Sequence, residues 1–493
     1  MSKIIRPIWP VFAASLLILQ FFTIVKPQDI EAAIKLDVKT PAAVTVTGRF
    51  SEPRKLRNLS FMLDYGGIAG LGERISGVRV QNSAGEIVPV RTMIPGEYLA
   101  ESEFVSWSYT VDLTPKGPGP AFAHTSWLKG DDGCGVLMLD DILPQTGNRG
   151  SAAKIVIDTG GLRIFTTEQS NRNGVYEIRD IEKAVFVVGG DRRDYKLSAD
   201  GLPIRLSLAG EWPFTETEAS EVAQDIFAEY RQMFGGSPTG TPLVSLIKFP
   251  LPVSEGVWEG DTRGRTVTIL SSDMPFKTQS LQRLHEQLRH EIFHLWVPNG
   301  LALSGNYDWF YEGFALYQSL KVGVGVNRIR FDDMLDTLSR AYDIDRFQSQ
   351  KASLVAASKN RWNGANTQVY ARGLLVAFLS DLATLDASKG KRSTDGLLRE
   401  LYEKFRGTIA IKDGNEAVIE LFRTKRELAP IVDRYITGSQ PIEWTALLAQ
   451  AGIEAVTRDQ LTKLQVVAKP TGRQKDLLDR LGYNNWRKLT TKH

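Results

Sequence analysis

The sequence predicts an α+β multidomain chain: a β-sandwich-like module first, then a mixed α/β lobe, then a lobe that is almost wholly helical. Three observations predict it. Short strand-like runs punctuated by Gly and Pro fill residues 36–204. Near Pro213 the pattern changes to helices interleaved with two strands, and from about Arg328 onward helical periodicity dominates. At 493 residues, 42% of them hydrophobic, the chain has room for two to four domains, each with its own core.

The first segment, 1–35, reads as a membrane anchor or signal. Lys3 and Arg6 precede an uncharged run from Pro7 to Val25, and Lys26, Asp29 and Glu31 close it. As a helix that run spans about 28 Å, close to the hydrocarbon thickness of a bilayer. A cleaved signal peptide is the competing reading, with Ala32-Ala33 as its site, but Thr23-Ile24-Val25 lacks small residues where cleavage wants them. An uncleaved anchor is favoured, with Lys3 and Arg6 inside and the body exported. If the helix is clipped, the body is secreted or periplasmic.

Residues 36–204 form the predicted β-rich domain. Val78 to Val80 and Ile87 to Val90 flank a Ser83-Ala84-Gly85 turn and read as a hairpin. Further strands are expected at Val105–Leu113, Val136–Leu139, Ile155–Ile157 and Val185–Val188. The α/β lobe, 205–327, opens with Thr215 and Glu218 as a capping box. Val222, Ile226, Phe227, Tyr230 and Phe234 mark the inner face of the helix that follows. Strands at Leu243–Phe249 and Arg265–Leu270 precede a long helix from about Lys277 to Trp296. The helical lobe, 328–455, contains predicted helices at Asn366–Asp386, Asp395–Phe405, Asn415–Thr424 and Glu427–Ile436. Residues 456–493 read as a basic helical tail.

Charge and cysteine content exclude several function classes. The 60 basic and 57 acidic residues nearly cancel, leaving +3, so nucleic acid is not expected as a partner. A single cysteine, Cys134, permits neither an intrachain disulfide nor a cysteine-based metal site.

Histidine is scarce, yet three of the five fall within ten positions: His285, His290 and His294. His290-Glu291-Ile292-Phe293-His294 is an HExxH motif on the long helix. Spacing of i, i+4 puts both imidazoles on one face, one turn apart, where both reach a single metal ion. Glu291 projects beside them as a general base. Zn²⁺ is the natural occupant, because two imidazoles and one carboxylate leave a fourth position open for catalysis. The carboxylate is expected from Glu312, eighteen positions after His294, inside the apolar segment Trp309-Phe310-Tyr311-Glu312-Gly313-Phe314-Ala315. An unpaired carboxylate there would be costly, which favours a ligand role over a plain helix-start glutamate. His285 is expected on the helix surface, His124 outside the site, and Cys134 as a small loop residue rather than a nucleophile.

HEIFHLWVPN and DWFYEGFALY together resemble the gluzincin metallopeptidases: aminopeptidase N and, more closely, the glycyl aminopeptidase family. The resemblance runs from about Ile204 to Glu454 and implies a thermolysin-like lobe around the zinc. It departs in one place, since the loop between His294 and Glu312 is one residue shorter than the aminopeptidase N pattern. By resemblance, Tyr370 in Val369-Tyr370-Ala371-Arg372-Gly373 is the oxyanion-stabilising tyrosine, 58 residues after Glu312, with Arg372 where relatives have Lys. Glu259 in Gly256-Val257-Trp258-Glu259 resembles the glutamate that binds the substrate's free amine; an ordinary exposed glutamate is the competing reading. The residues after 455 are too few for the PDZ domain with which such relatives commonly end.

The expected activity is therefore zinc-dependent hydrolysis of peptide bonds, as an aminopeptidase, on peptide or protein substrates. Two alternatives stay open: an inactive zinc-binding scaffold of the same fold, and a zinc hydrolase of a non-peptide amide or ester.

Overall fold

A computed structural model describes residues 29–485, apart from 40, 52–55, 117–121, 148–149, 350 and 408–410. The expected anchor at Pro7–Val25 lies outside the described residues. Among the described residues no helix is long and apolar enough to cross a membrane.

The β module begins earlier than expected. Residues 30–35, assigned from sequence to the anchor segment, belong to the strand Ile30–Asp37, whose burial alternates along its length. The short period-2 run Ile30, Ala32, Ile34, Leu36 is hidden by its closeness to the apolar segment. This strand pairs antiparallel with Ala43–Phe50 and parallel with Ala153–Asp158, inside a seven-stranded sheet. The expected hairpin is there, as Ile75–Gln81 against Ile87–Val88. A three-stranded sheet, a four-stranded sheet and the two-stranded pair Asp64–Tyr65 with Ile68–Ala69 lie in the same module. Phe50, Phe61, Trp107 and Tyr109 anchor its core.

The next sheet is five-stranded, in the order Arg192–Ala199, Leu202–Ala209, Leu243–Ile247, Thr266–Ser271, Trp258–Arg263. The domain boundary expected at 204/205 therefore falls inside a strand, and the lobe starts near Arg192. The hairpin's register, Arg192 against Ala209 through Ala199 against Leu202, binds it to this sheet rather than to the β module. The helix Glu216–Phe234 covers the sheet, with the Thr215–Glu218 capping box formed and Gly235 closing it at φ 70°. Its far end packs on the last turn of the next helix and the segment just after it: Phe234 lies 5.4 Å from Trp296 and Tyr230 lies 5.7 Å from Phe293.

Five helices make up most of the last lobe: Asp308–Gly325, Phe331–Phe347, Asn366–Ala387, Thr394–Phe405 and Gly414–Arg423. The expected helix at Glu427–Ile436 is shorter, Ala429–Ile431 followed by a wider turn over Val432–Ile436. The tail is not simply helical. Ile453–Arg458 and Leu461–Val466 form a hairpin, and Gly472–Arg480 a short helix; 486–493 lie outside the described residues. Asp459 and Gln460 both take positive φ, 49° and 66°, a two-residue turn without the glycine that usually signals one. The hairpin docks on Phe331–Phe347 through Thr462 N to Asp343 Oδ2 (2.8 Å) and Leu464 N to Ser339 Oγ (2.9 Å).

Candidate active site

The HExxH helix runs Lys277–Phe293 and buries Leu284, Leu288 and Ile292 in the core. One turn apart on its other side, Arg283, Glu286 and His290 face a cavity of about 1150 Å³. The helix ends sooner than expected, at Phe293, so His294 is its C-cap. Its φ and ψ, −67° and −13°, remain helical, and the i, i+4 relation to His290 survives. His294 Nδ1 meets the Val297 carbonyl at 3.0 Å. A carbonyl only accepts, so Nδ1 carries a proton and Nε2 is the nitrogen left for a metal.

Glu312 comes from the first part of the next helix, Asp308–Gly325. Its Oε2 lies 3.3 Å from His290 Nε2 and 3.6 Å from His294 Nε2, and the two Nε2 atoms are 3.3 Å apart. All three side chains are buried, and their ligating atoms lie within 4.8 Å of one another. Two nitrogens bound tetrahedrally to zinc at its usual bond length stand about 3.4 Å apart, so this spacing fits the ion. The fit is strengthened because Glu312 Oε2 has no aligned hydrogen-bond donor among the described residues, while Oε1 is held by Arg361 Nη1 at 3.0 Å.

Glu312 is placed by a close crossing of two helices. A Cβ on Gly313 would overlap the backbone of Gly373, and one on Gly373 would meet the Trp309 carbonyl. The glycine that follows Glu312 and the glycine that follows Tyr370 by three thus let Asp308–Gly325 and Asn366–Ala387 touch. Tyr370 is carried to the same cavity as the three ligands. Its hydroxyl accepts from Arg361 Nη2 at 2.6 Å. Burial, aided by the Glu312 charge, pushes the phenol well above its usual range, so it stays protonated.

No sequence pattern singles out Arg361. Besides Glu312 and Tyr370 it holds Asp308 at 2.9 Å, making one guanidinium the hub of the site. Burial would raise the Glu312 pKa, yet Arg361 first and His294 next hold that carboxyl well below the usual carboxylate range. Nothing local betrays Arg361: it sits in a polar turn, Arg361–Ala365, broken by Gly364 at φ 95°.

Glu291 leans on the edge strand Trp258–Arg263. Thr262 Oγ1 donates to its Oε2 at 2.8 Å, and a Cβ on Gly260 would collide with its carboxylate. Burial raises its pKa, opposed by the two imidazoles and Thr262. Glu259, on the same strand, is 9% exposed, accepts from Ala123 N at 3.1 Å, and lines the cavity. It is therefore not the exposed glutamate of the competing reading.

His124 was expected to be unrelated, but the β module carries it to the cavity wall, where Nδ1 faces Asp261 at 3.6 Å. Arg263 joins the same wall, binding both Asp140 oxygens at 2.7 Å and the His124 carbonyl at 2.8 Å. His285 is not on the surface: it is 1% exposed. Cys134 is a buried free thiol 3.6 Å from Arg192.

No protein-family model matches the sequence, and no curated protein matches it. Solved structures do match in fold. An aminopeptidase N family protein from Idiomarina loihiensis superposes with a TM-score of 0.72 at 15% identity, covering 90% of this chain and 82% of its own. An M1 zinc metallopeptidase from Deinococcus radiodurans gives a TM-score of 0.50 at 15% identity, covering 84% of this chain and 93% of its own. A point mutant of the latter, solved bound to a Tyr-Ser-Ala substrate, gives 0.50 at 16% identity, over 84% and 94%. At such identities the likeness is one of fold.

Proposed function

We propose that this chain is a zinc peptidase that removes residues from the free amino end of peptides. One observation carries the reading: two imidazoles and a carboxylate converge within 4.8 Å, with Glu291 beside them in one cavity. When bound, zinc supplies a Lewis acid that polarises the scissile carbonyl and lowers the pKa of water. His290 and His294 would hold it through Nε2, and Glu312 through Oε2.

The remaining chemistry belongs to the chain. Glu291, steadied by Thr262 and with its proton affinity raised by burial, takes the proton of the attacking water and returns it to the leaving amine. Tyr370, held protonated beside Arg361, donates to the carbonyl oxygen as negative charge builds there. Glu259 sits where the cavity meets the β module and selects an ammonium group, which makes the activity exo rather than endo. The edge of Trp258–Arg263 offers backbone pairing to an extended peptide. The Tyr-Ser-Ala bound to a metallopeptidase of this fold supports a peptide as substrate. The resemblance of HEIFHLWVPN and DWFYEGFALY to the glycyl aminopeptidases supports an activity of that kind, and the segment Pro7–Val25 supports a body exported and tethered to a membrane.

Metal analysis and turnover on aminoacyl amides test the assignment. Glu291→Gln is expected to keep one zinc per chain while losing about 10²–10⁴-fold in kcat. Full turnover in that variant would sink the reading. Acetylating the substrate's amine should abolish cleavage if Glu259 reads the ammonium.

A further inference from the structure

One buried arginine in the cavity wall makes no ion pair among the described residues. Arg289, one residue before the first ligand, is 3% exposed, and its Nε and Nη1 are buried without a hydrogen-bond partner there. The side chain lines the cavity. Of the other buried arginines, Arg263, Arg361 and Arg372 each hold a carboxylate within 3.2 Å, and Arg192 donates to the Gly189 carbonyl and the Ser245 hydroxyl. The nearby acids of this arm are already engaged, Glu286 by Arg283 at 2.8 Å and Asp333 by Arg330 at 2.7 Å. Room is nevertheless made for the guanidinium, since a Cβ on Gly323 would overlap its Nη1. A desolvated, unpartnered guanidinium is costly, and its planar fork matches a carboxylate.

We infer that Arg289 is the anion-binding determinant of the cleft, taking a carboxylate on the leaving-group side of the peptide. This rests on the peptidase reading. With the amine end closed by Glu259 against Ala123, the rest of the chain leaves along the other arm, between the two helices that carry the ligands. Leu316, Ser319 and Ile329 line that arm. Gly323 lies about 16 Å of helix rise beyond Glu312. An extended peptide covers that length in about five residues. The carboxylate is thus the C-terminus of a short peptide or an acidic side chain at that distance, and the preferred substrates are short or acidic peptides.

Peptides of three to seven alanines, each as free acid and as C-terminal amide, test this on the full-length chain loaded with zinc. The expected result is an acid-over-amide preference of about tenfold in kcat/KM, mostly in KM, at four to six residues. Amides carrying Glu instead of Ala at positions four to six regain the preference if a side chain serves as well as the terminus. Arg289→Met is expected to take the ratio to about one, and Arg289→Lys to leave it part-way. Binding of the same pairs to the Glu291→Gln protein by calorimetry reads the ratio without turnover. Cleavage with no acid preference at any length overturns the inference and leaves the peptidase reading standing. A preference that survives in Arg289→Met assigns the carboxylate to another group and also overturns it. Cleavage of no peptide at all fails both together.

Discussion

Arg361 connects three groups that do different work: Asp308, the ligand Glu312 and the donor Tyr370. Removing it leaves two buried carboxylates without their cation and frees the phenol to rotate. Loss of such a supporting group costs about 10–100-fold in metal affinity or activity. Arg361→Met is therefore expected to lower both zinc affinity, measured by chelator competition, and kcat/KM by about that factor. Arg361→Lys should not rescue it, because an ammonium cannot bridge three partners in one plane. His285 makes a separate contribution. Burial first, then Arg289 and Arg328, bring its pKa down to about 3, and neither ring nitrogen has a hydrogen-bond partner among the described residues. The unfolded chain binds that proton near pH 6.5 and the folded chain does not, so stability is full above 6.5 and falls as pH drops toward 3. Denaturation at pH 7 and pH 5 should differ by about 2 kcal/mol from this group. His285→Phe should remove that part of the slope; an unchanged slope would refute the burial argument.

At the scale of elements, the crossing of Asp308–Gly325 with Asn366–Ala387 decides whether Glu312 and Tyr370 share a cavity. Backbone meets backbone at Gly313 and Gly373, so no rotamer change can relieve an added methyl. Alanine gains up to about 1 kcal/mol in helix propensity over glycine. Overpacking against backbone costs about 1–3 kcal/mol, and here it wins. Gly313→Ala is expected to lower stability in urea melts and to lower kcat, because the helices part where the ligand and the donor sit. A stable, fully active variant would show that the crossing has slack.

At the scale of the molecule, the cavity is closed by the β module, and the closure is ionic. Arg263 on the edge strand binds Asp140 and the His124 carbonyl from the β module, together with Asp261 beside it, and stacks 4.5 Å from Tyr65. Burial pushes Asp140 up to about 6 even against Arg263. Burial would raise Asp261 as well, but Arg263 and His124 bring it down to about 2. Arg263→Met would leave Asp140 buried without its cation and Asp261 with His124 alone, a loss of about 3–5 kcal/mol. Thermal and urea unfolding should show it, with the β module loosening from the lobe. Unaltered stability would mean the interface is held by apolar packing alone.

Much of this was legible along the chain because it is local. The i, i+4 pair His290 and His294, the apolar periodicity of Lys277–Phe293, the long apolar run of Asn366–Ala387, and the Thr215–Glu218 cap depend on neighbours within a few turns. Composition and spacing read such patterns directly. Other features stayed hidden because their partners are far apart in sequence. Arg361 meets a glutamate 49 positions away, and Arg263 an aspartate 123 positions away. The start of the β module at Ile30, the hairpin of Arg192–Ala209 in the second sheet, and the docked hairpin after Gly452 likewise depend on which strand lies alongside which. Short-range hydrogen bonding and periodicity write themselves into consecutive residues. The pairing of buried charges and of sheet edges is settled only when distant segments exclude water from one another.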